Sequence, residues 1–139
     1  MKNKKSPLEN AFHFLSFRSR SEKEMRDYLV KKSYPTSEVV STINRLKELD
    51  LINDKKFTSE LILARSHSKP KGKKALIIEL KRKGIDAEDL DIDEDELAKK
   101  ALEKKKPRSF EQASRFLYSR GFSWNTIERT LKNWYNSTA

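Results

Sequence analysis

The stretch "FLYSRGFSWNTIERTLKNW", Phe116 to Trp134, decides how this chain is read. Apolar residues fall at Leu117, Phe122, Ile127 and Leu131, and Arg120-Gly121 sits just before Phe122. The same spacing occurs twice upstream. "YLVKKSYPTSEVVSTI" carries Leu29, Tyr34, Val39 and Ile43, and "ELKRKGIDAEDLDI" carries Leu80, Ile85 and Leu90. The apolar steps are five and five each time, then four in the first and third copies. Three residues after the leucine comes a base (Lys32, Lys83, Arg120), followed by Ser33, Gly84 or Gly121.

Elementary physics reads this as helix, tight turn, helix. The leucine belongs to the last turn of the first helix, where a base complements the negative end of the dipole. Glycine just beyond takes the left-handed conformation that ends a helix at low cost. Serine lacks that freedom, so the first turn is expected to be strained or built differently. Asp86 and Ser123 suit N-caps of the next helix, and Pro35 suits a helix start by its fixed φ.

A further helix precedes each pair. The first is expected over about 7–19, with Leu8, Ala11, Phe12 and Leu15 on one face. "SEKE" offers Ser21 and Glu24 as a capping box for a helix reaching Lys32, and "SFEQ" offers Ser109 and Gln112 as a second. A third helix is expected over about 36–49, one capped by Asp54, one opened by Pro70 and ending at Lys83, a short acidic one over 86–90, one starting near Asp93, and a last one over about 124–136. Tyr28, Tyr34 and the phenylalanines read as core, and the tryptophans as packing residues, with Trp124 exposed in part because it opens its helix. The expectation is an all-α fold of nine helices in three tandem three-helix units, 1–52, 53–92 and 93–139. Units of about 40 residues seldom stand alone, so they are expected to stack into an elongated, curved array.

Composition agrees with helices: among 139 residues there are only three glycines and four prolines. The absence of cysteine excludes disulfides and thiolate metal sites, and two histidines could not build a zinc site unaided. No cofactor is expected. No apolar run approaches a membrane span, and the basic start "MKNKK" leads into no apolar signal region. A cytoplasmic monomer is expected.

Net charge is +10, which favours a polyanionic partner. The charge is arranged in blocks. Residues 65–84 hold eight bases and one acid, 86–96 hold eight acids and no base, and 99–108 hold six bases and one acid. In "ARSHSKPKGKKA", Arg65, Lys69, Lys71, Lys73 and Lys74 crowd ten residues and cannot all find partners within the chain. This segment is the leading surface candidate. It is no phosphate-binding P-loop, since the first glycine and the hydroxyl residue are missing. Arg18 and Arg20 either close the first helix against Glu22 or Glu24, or meet the partner through their forked donors. Lys83, Arg115, Arg120, Arg129 and Lys132 extend the candidate basic face. Lys104 to Arg108 read as a solvated helix end. The acids of 86–96 read as a screen for neighbouring lysines. No nucleophile, His–carboxylate signature or phosphate loop points to an enzyme.

The same segments carry a family resemblance. "LSFRSRSEKEMRDYL", with Leu15, Ser16, Arg18, Arg20, Ser21, Glu22, Glu24 and Met25, is similar to the opening signature of the RecX regulators of bacterial recombinases. "LINDKKFTSELILARS" is similar to the second, through Asp54, Phe57 and Arg65. "GKKALIIELKRKGI" and "FLYSRGFSWNTI" resemble the third and fourth. Asn53 and Ser33 depart from the usual Asp and Gly, and Ser59 stands where a small Ala is common. The resemblance spans almost the whole chain. It implies tandem three-helix units and binding to the RecA-type recombinase filament on single-stranded DNA. It also implies modulation, mostly inhibition, of the filament's ATPase, strand-exchange and coprotease activities, and so of DNA repair, recombination and the SOS response. Contact with duplex DNA stays open. The alternative is a helix-turn-helix protein reading duplex DNA with Asn125, Thr126, Arg129, Thr130, Lys132 and Asn133.

Overall fold

Serine and aspartate caps set most of the helix starts, Ser123 among them by accepting the Thr126 N–H ahead of Trp124. Ser6 Oγ accepts the Glu9 N–H and opens α1 (Pro7–Leu15). Ser21 and Glu24 close the expected capping box on α2 (Glu22–Lys31). Asp93 opens α6 (Glu94–Lys105), and Ser109 opens α7 (Phe110–Ser119). Pro35 leads into α3 (Thr36–Glu48) with φ −59° and no side-chain cap. The remaining helices are α4 (Asp54–His67), α5 (Lys73–Arg82) and α8 (Trp124–Thr138). The computed structural model describes residues 5–88 and 90–138. The basic start before Lys5 and Asp89 of the acidic segment lie outside the described residues.

Among the described residues there are eight helices, not nine. The acidic helix expected over 86–90 is a single turn, closed by Leu90 N–H on the Ala87 carbonyl at 3.0 Å. The Asp86 carboxylate takes the Glu88 N–H at 3.4 Å, which holds a local turn instead of a helix. A five-residue, acid-rich segment cannot repay helix nucleation. Three other boundaries differ. The first helix stops at Leu15 rather than Ser19, where Ser16 Oγ donates to the His13 carbonyl. The fifth begins at Lys73, three residues past Pro70, because Pro70 and Gly72 are buried in the approach to it. Asn53, not Asp54, caps α4 by accepting the Lys56 N–H at 3.1 Å. Asp54 instead reaches back to accept the Glu22 N–H at 2.8 Å, at the start of α2. The "SFEQ" box is only half closed: Gln112 accepts from Arg108 N–H rather than from Ser109.

The three turns match at the backbone. Ser33, Gly84 and Gly121 all have positive φ, at 68°, 78° and 85°. In the first and third, the apolar follower donates to the leucine carbonyl: Tyr34 to Leu29 at 3.4 Å and Phe122 to Leu117 at 3.2 Å. This is the six-to-one bond of a Schellman motif. Ser33 therefore adopts the glycine geometry and carries its steric cost.

The chain divides into two compact units, residues 1–59 with 82–85, and 60–81 with 86–139. In the first, α1, α2 and α3 pack together around Ala11, Met25, Leu29, Tyr34, Val39, Ile43, Leu46 and Ile52. In the second, α6, α7 and α8 pack mutually, burying Leu97, Ala101, Leu102, Ala113, Leu117, Phe122, Ile127 and Leu131. Each such large side chain contributes about 1.5–3 kcal/mol of transfer free energy. Not every aromatic is core. Phe17 is 70% exposed, Phe110 58% and Trp124 56%. Phe12 is also exposed, so the inward face of α1 rests on Leu8, Ala11, Phe14 and Leu15.

Two features fix the second unit. Gly72 N–H donates to the Arg120 carbonyl at 2.8 Å, and a Cβ on Gly72 would lie 2.2 Å from the Gly121 oxygen. Two of the chain's three glycines thus nest backbone to backbone. Glu94, in the first turn of α6, serves the starts of two other helices. Its carboxylate accepts the Lys73 N–H of α5 at 2.6 Å, and the Ser123 hydroxyl and Thr126 hydroxyl at α8 at 3.0 and 2.6 Å.

Candidate anion-binding groove

The basic side chains sort by whether an acid already holds them. In the first unit, Arg18 forks onto Glu24 at 3.2 and 2.5 Å, and Lys83 reaches the same carboxylate at 3.0 Å. Burial pushes the Glu24 carboxyl up, but hydrogen bonds from Arg18, the Ser21 N–H and Lys83 outweigh it and hold the pKa at about 2. Both cations are spent on structure. Arg20 pairs with no carboxylate among the described residues: its guanidinium lies 3.7 Å over the Phe14 ring and donates to the Phe14 carbonyl. Burial, with repulsion from Arg18, lowers its pKa. Phe14 stacks on Tyr28 at 4.0 Å, and Lys32 sits 5.5 Å from the Tyr28 ring.

In the second unit, the basic segment is less free than its sequence suggests. Arg65 forks onto Glu79, and Lys71 joins at 3.2 Å. Arg65 foremost, then Lys71, draws the Glu79 pKa down against the opposing effect of burial. Arg129 forks onto Asp95 at 3.1 and 3.2 Å, which raises its pKa. Arg115 meets Glu111 at 3.7 Å in full solvent, a pairing worth little. Lys74 and Lys132 are exposed and Lys73 is half-buried, and none of their ammonium groups pairs with a carboxylate among the described residues. The acidic segment does not simply screen lysines: Glu94 caps helices and Asp95 takes Arg129.

Lys69 and Arg120 come together. They line a groove of about 190 Å³ with Lys104, Lys105, Ser68, Pro70, Ala101 and Phe116. Lys104 Nζ donates to the His67 and Ser68 carbonyls at 2.5 and 2.8 Å, closing the end of α4. Phe116 has Arg120 at 5.2 Å and Lys105 at 5.6 Å from its ring centroid. Among the described residues Lys69, Lys105 and Arg120 have no carboxylate partner. Lys69 and Lys105 are exposed and Arg120 and Phe116 half-buried, so an anion entering the groove would meet several cations at once. From the sequence Lys104 and Lys105 read as a solvated helix end and Phe116 as core, but Phe116 is only half-buried. The available signal was spacing: Lys104 and Lys105 follow buried Ala101 by three and four residues, and Arg120 follows Phe116 by four.

A larger cleft, about 410 Å³, lies between α6 and α8. Its lining mixes Asp93, Asp95 and Glu96 with Lys99 and Arg129, so it offers an anion no net attraction. Of the face suggested for helix-turn-helix reading, Asn125, Lys132 and Asn133 are exposed and the other three residues are buried or paired. Thr126 and Thr130 are 2% and 7% exposed, and Arg129 is bound to Asp95.

Comparison with known proteins agrees with this architecture. Family models for the first and second three-helix domains of RecX match residues 8–46 and 53–92. The regulatory protein RecX of Chlorobaculum tepidum is 32% identical over 141 residues, covering 93% of this chain and 88% of that one. That of Bacillus pumilus is also 32% identical, with 95% of this chain matched to 56% of the relative. The crystal structure of RecX from Lactobacillus salivarius superposes with a TM-score of 0.75 at 28% identity, covering 91% of this chain and 93% of that one. No helix among the described residues is long and apolar enough to cross a membrane. On this footing the chain belongs to the RecX family of regulatory proteins.

Proposed function

We propose that this chain regulates a RecA-type recombinase by binding its filament on single-stranded DNA and restraining the ATP-driven activities. It acts without a cofactor or catalytic step of its own, as a cytoplasmic monomer built from the modules 1–52, 53–92 and 93–139. The observation that carries the reading is family membership over two consecutive three-helix domains. The surplus of +10 supports it, because acids inside the chain leave part of the positive charge uncompensated for a polyanionic filament. The cations available for that contact are Lys69, Lys73, Lys74, Arg120 and Lys132, joined by Lys104 and Lys105. Arg18, Arg65, Lys71, Lys83 and Arg129 are held by carboxylates and shape the surface instead. Buried Thr126 and Thr130 weigh against sequence-specific duplex reading.

The test is the recombinase's single-strand-dependent ATPase. Adding this protein below one copy per recombinase subunit lowers the rate, and raised salt restores it. An unchanged rate at saturating protein and low salt would refute the proposal.

A further inference from the structure

We infer that the groove beside Phe116 is a direct contact for the phosphates of single-stranded DNA, independent of any recombinase subunit. The filament reading supplies the source of the strand, and this inference rests on it to that extent.

Four arguments lead there. First, the lining contains four bases and no acid, whereas the cleft between α6 and α8 is mixed in charge. A groove recognising a typical protein surface would need to meet both signs. Second, three of the four cations have contacts that orient them before any ligand arrives. Lys104 is tied to two carbonyls at the end of α4, and Lys105 and Arg120 flank one ring. Preorganised donors lose less side-chain freedom on binding. Third, the Phe116 ring already has cations beside it, so the groove reads backbone charge more than base faces. That gives binding without sequence preference, as a protein acting along arbitrary single strands requires. Fourth, the groove is small, about 190 Å³. A strand that can bend fits such a groove, whereas a duplex needs a protruding element to enter its grooves.

The experiment titrates fluorescein-labelled oligo(dT) with the full chain, with no recombinase present, between 50 and 200 mM salt. The groove variant is Lys69→Ala/Lys105→Ala/Arg120→Ala. A charge-matched variant, Lys31→Ala/Lys55→Ala/Lys81→Ala, removes three exposed lysines elsewhere. Three single-strand phosphate contacts correspond to a change of about 2 in the log–log salt slope. Between those salt concentrations the parent should lose about twentyfold more affinity than the groove variant. The charge-matched variant should keep nearly the parent slope. If Arg120→Ala disturbs folding, Lys69→Ala/Lys105→Ala alone should shift the slope by about 1.4.

Each variant is also assayed for inhibition of the recombinase ATPase. Failure of the parent to bind oligo(dT) while still inhibiting the filament overturns the inference and leaves the proposed function standing. So does an unchanged slope in the groove variant with inhibition lost, which assigns the groove to acidic side chains of a protein partner. An equal slope loss in the charge-matched variant overturns it as generic attraction. The expected slope loss without any effect of the parent on the ATPase upholds the groove and refutes filament regulation.

Discussion

Replacing Glu94 with alanine should destabilise the second unit by about 3 kcal/mol. The figure follows from what the carboxylate holds. It accepts the Lys73 N–H at 2.6 Å, so α5 loses its N-terminal cap, and removal of a cap costs about 1 kcal/mol. It accepts the Ser123 N–H and hydroxyl and the Thr126 hydroxyl at the start of α8, which costs about as much again. Thr126 is nearly fully buried, and its hydroxyl would lose its acceptor, adding about 1 kcal/mol. For a chain of this size the midpoint of thermal unfolding should fall by roughly 10 °C. The acid dependence gives a second handle. Burial pushes the Glu94 carboxyl up, but bonds from Thr126, Lys73 N–H and Ser123 draw it below its ordinary value. A carboxyl whose folded pKa is depressed binds fewer protons in the folded state than in the unfolded one. Its contribution is therefore complete above the unfolded value of about 4.3 and fades as pH falls through the folded value. Urea unfolding of the parent and Glu94→Gln, followed by circular dichroism, should show a constant gap from pH 7 to pH 5 that narrows below pH 4. An alanine variant within 0.5 kcal/mol of the parent, or a Gln gap unchanged by acid, would refute the capping account.

Gly72→Ala should cost at least about 3 kcal/mol, because its Cβ would meet the backbone of Gly121 and Phe122 at 2.2–2.4 Å and backbone cannot step aside; a midpoint within 2 °C of the parent would show that the approach is looser. Ser33→Gly should stabilise by about 0.5–1 kcal/mol, since Ser33 has φ 68° and glycine relieves the left-handed strain; a loss of stability in urea titration would mean the serine side chain contributes more than its backbone costs.

The sequence was most legible where one residue type answers one local demand. Ser21 with Glu24, and Asp93, mark helix starts because each accepts an N–H only three residues away in the chain. The fivefold spacing from Leu29 to Tyr34 and from Leu117 to Phe122 shows through as the same carbonyl bond. What did not show was long-range choice. Glu94 looked like one acid among eight, yet it serves helices that begin 21 residues before it and 30 after it. Arg65 and Lys71 looked like surface charge, but Glu79, the lone acid of that segment, takes both. Asn53 and Asp54 are chemically alike, and only the nearness of the Glu22 N–H decides which caps α4. Half of the groove was found as Lys69 and Arg120. The other half, Lys104 and Lys105, depended on which end of α4 would need its carbonyls filled.

The nested glycines bear on how this chain can be cut. The second family-model match ends at residue 92, yet Gly72 lies against Gly121 and the first N–H of α5 is bound by Glu94. A fragment trimmed to that match would leave one end of its last helix bare and a backbone surface without its counterpart. Modules that look interchangeable along the chain are thus finished by their successor, and dissection of this protein should keep everything beyond residue 92 attached.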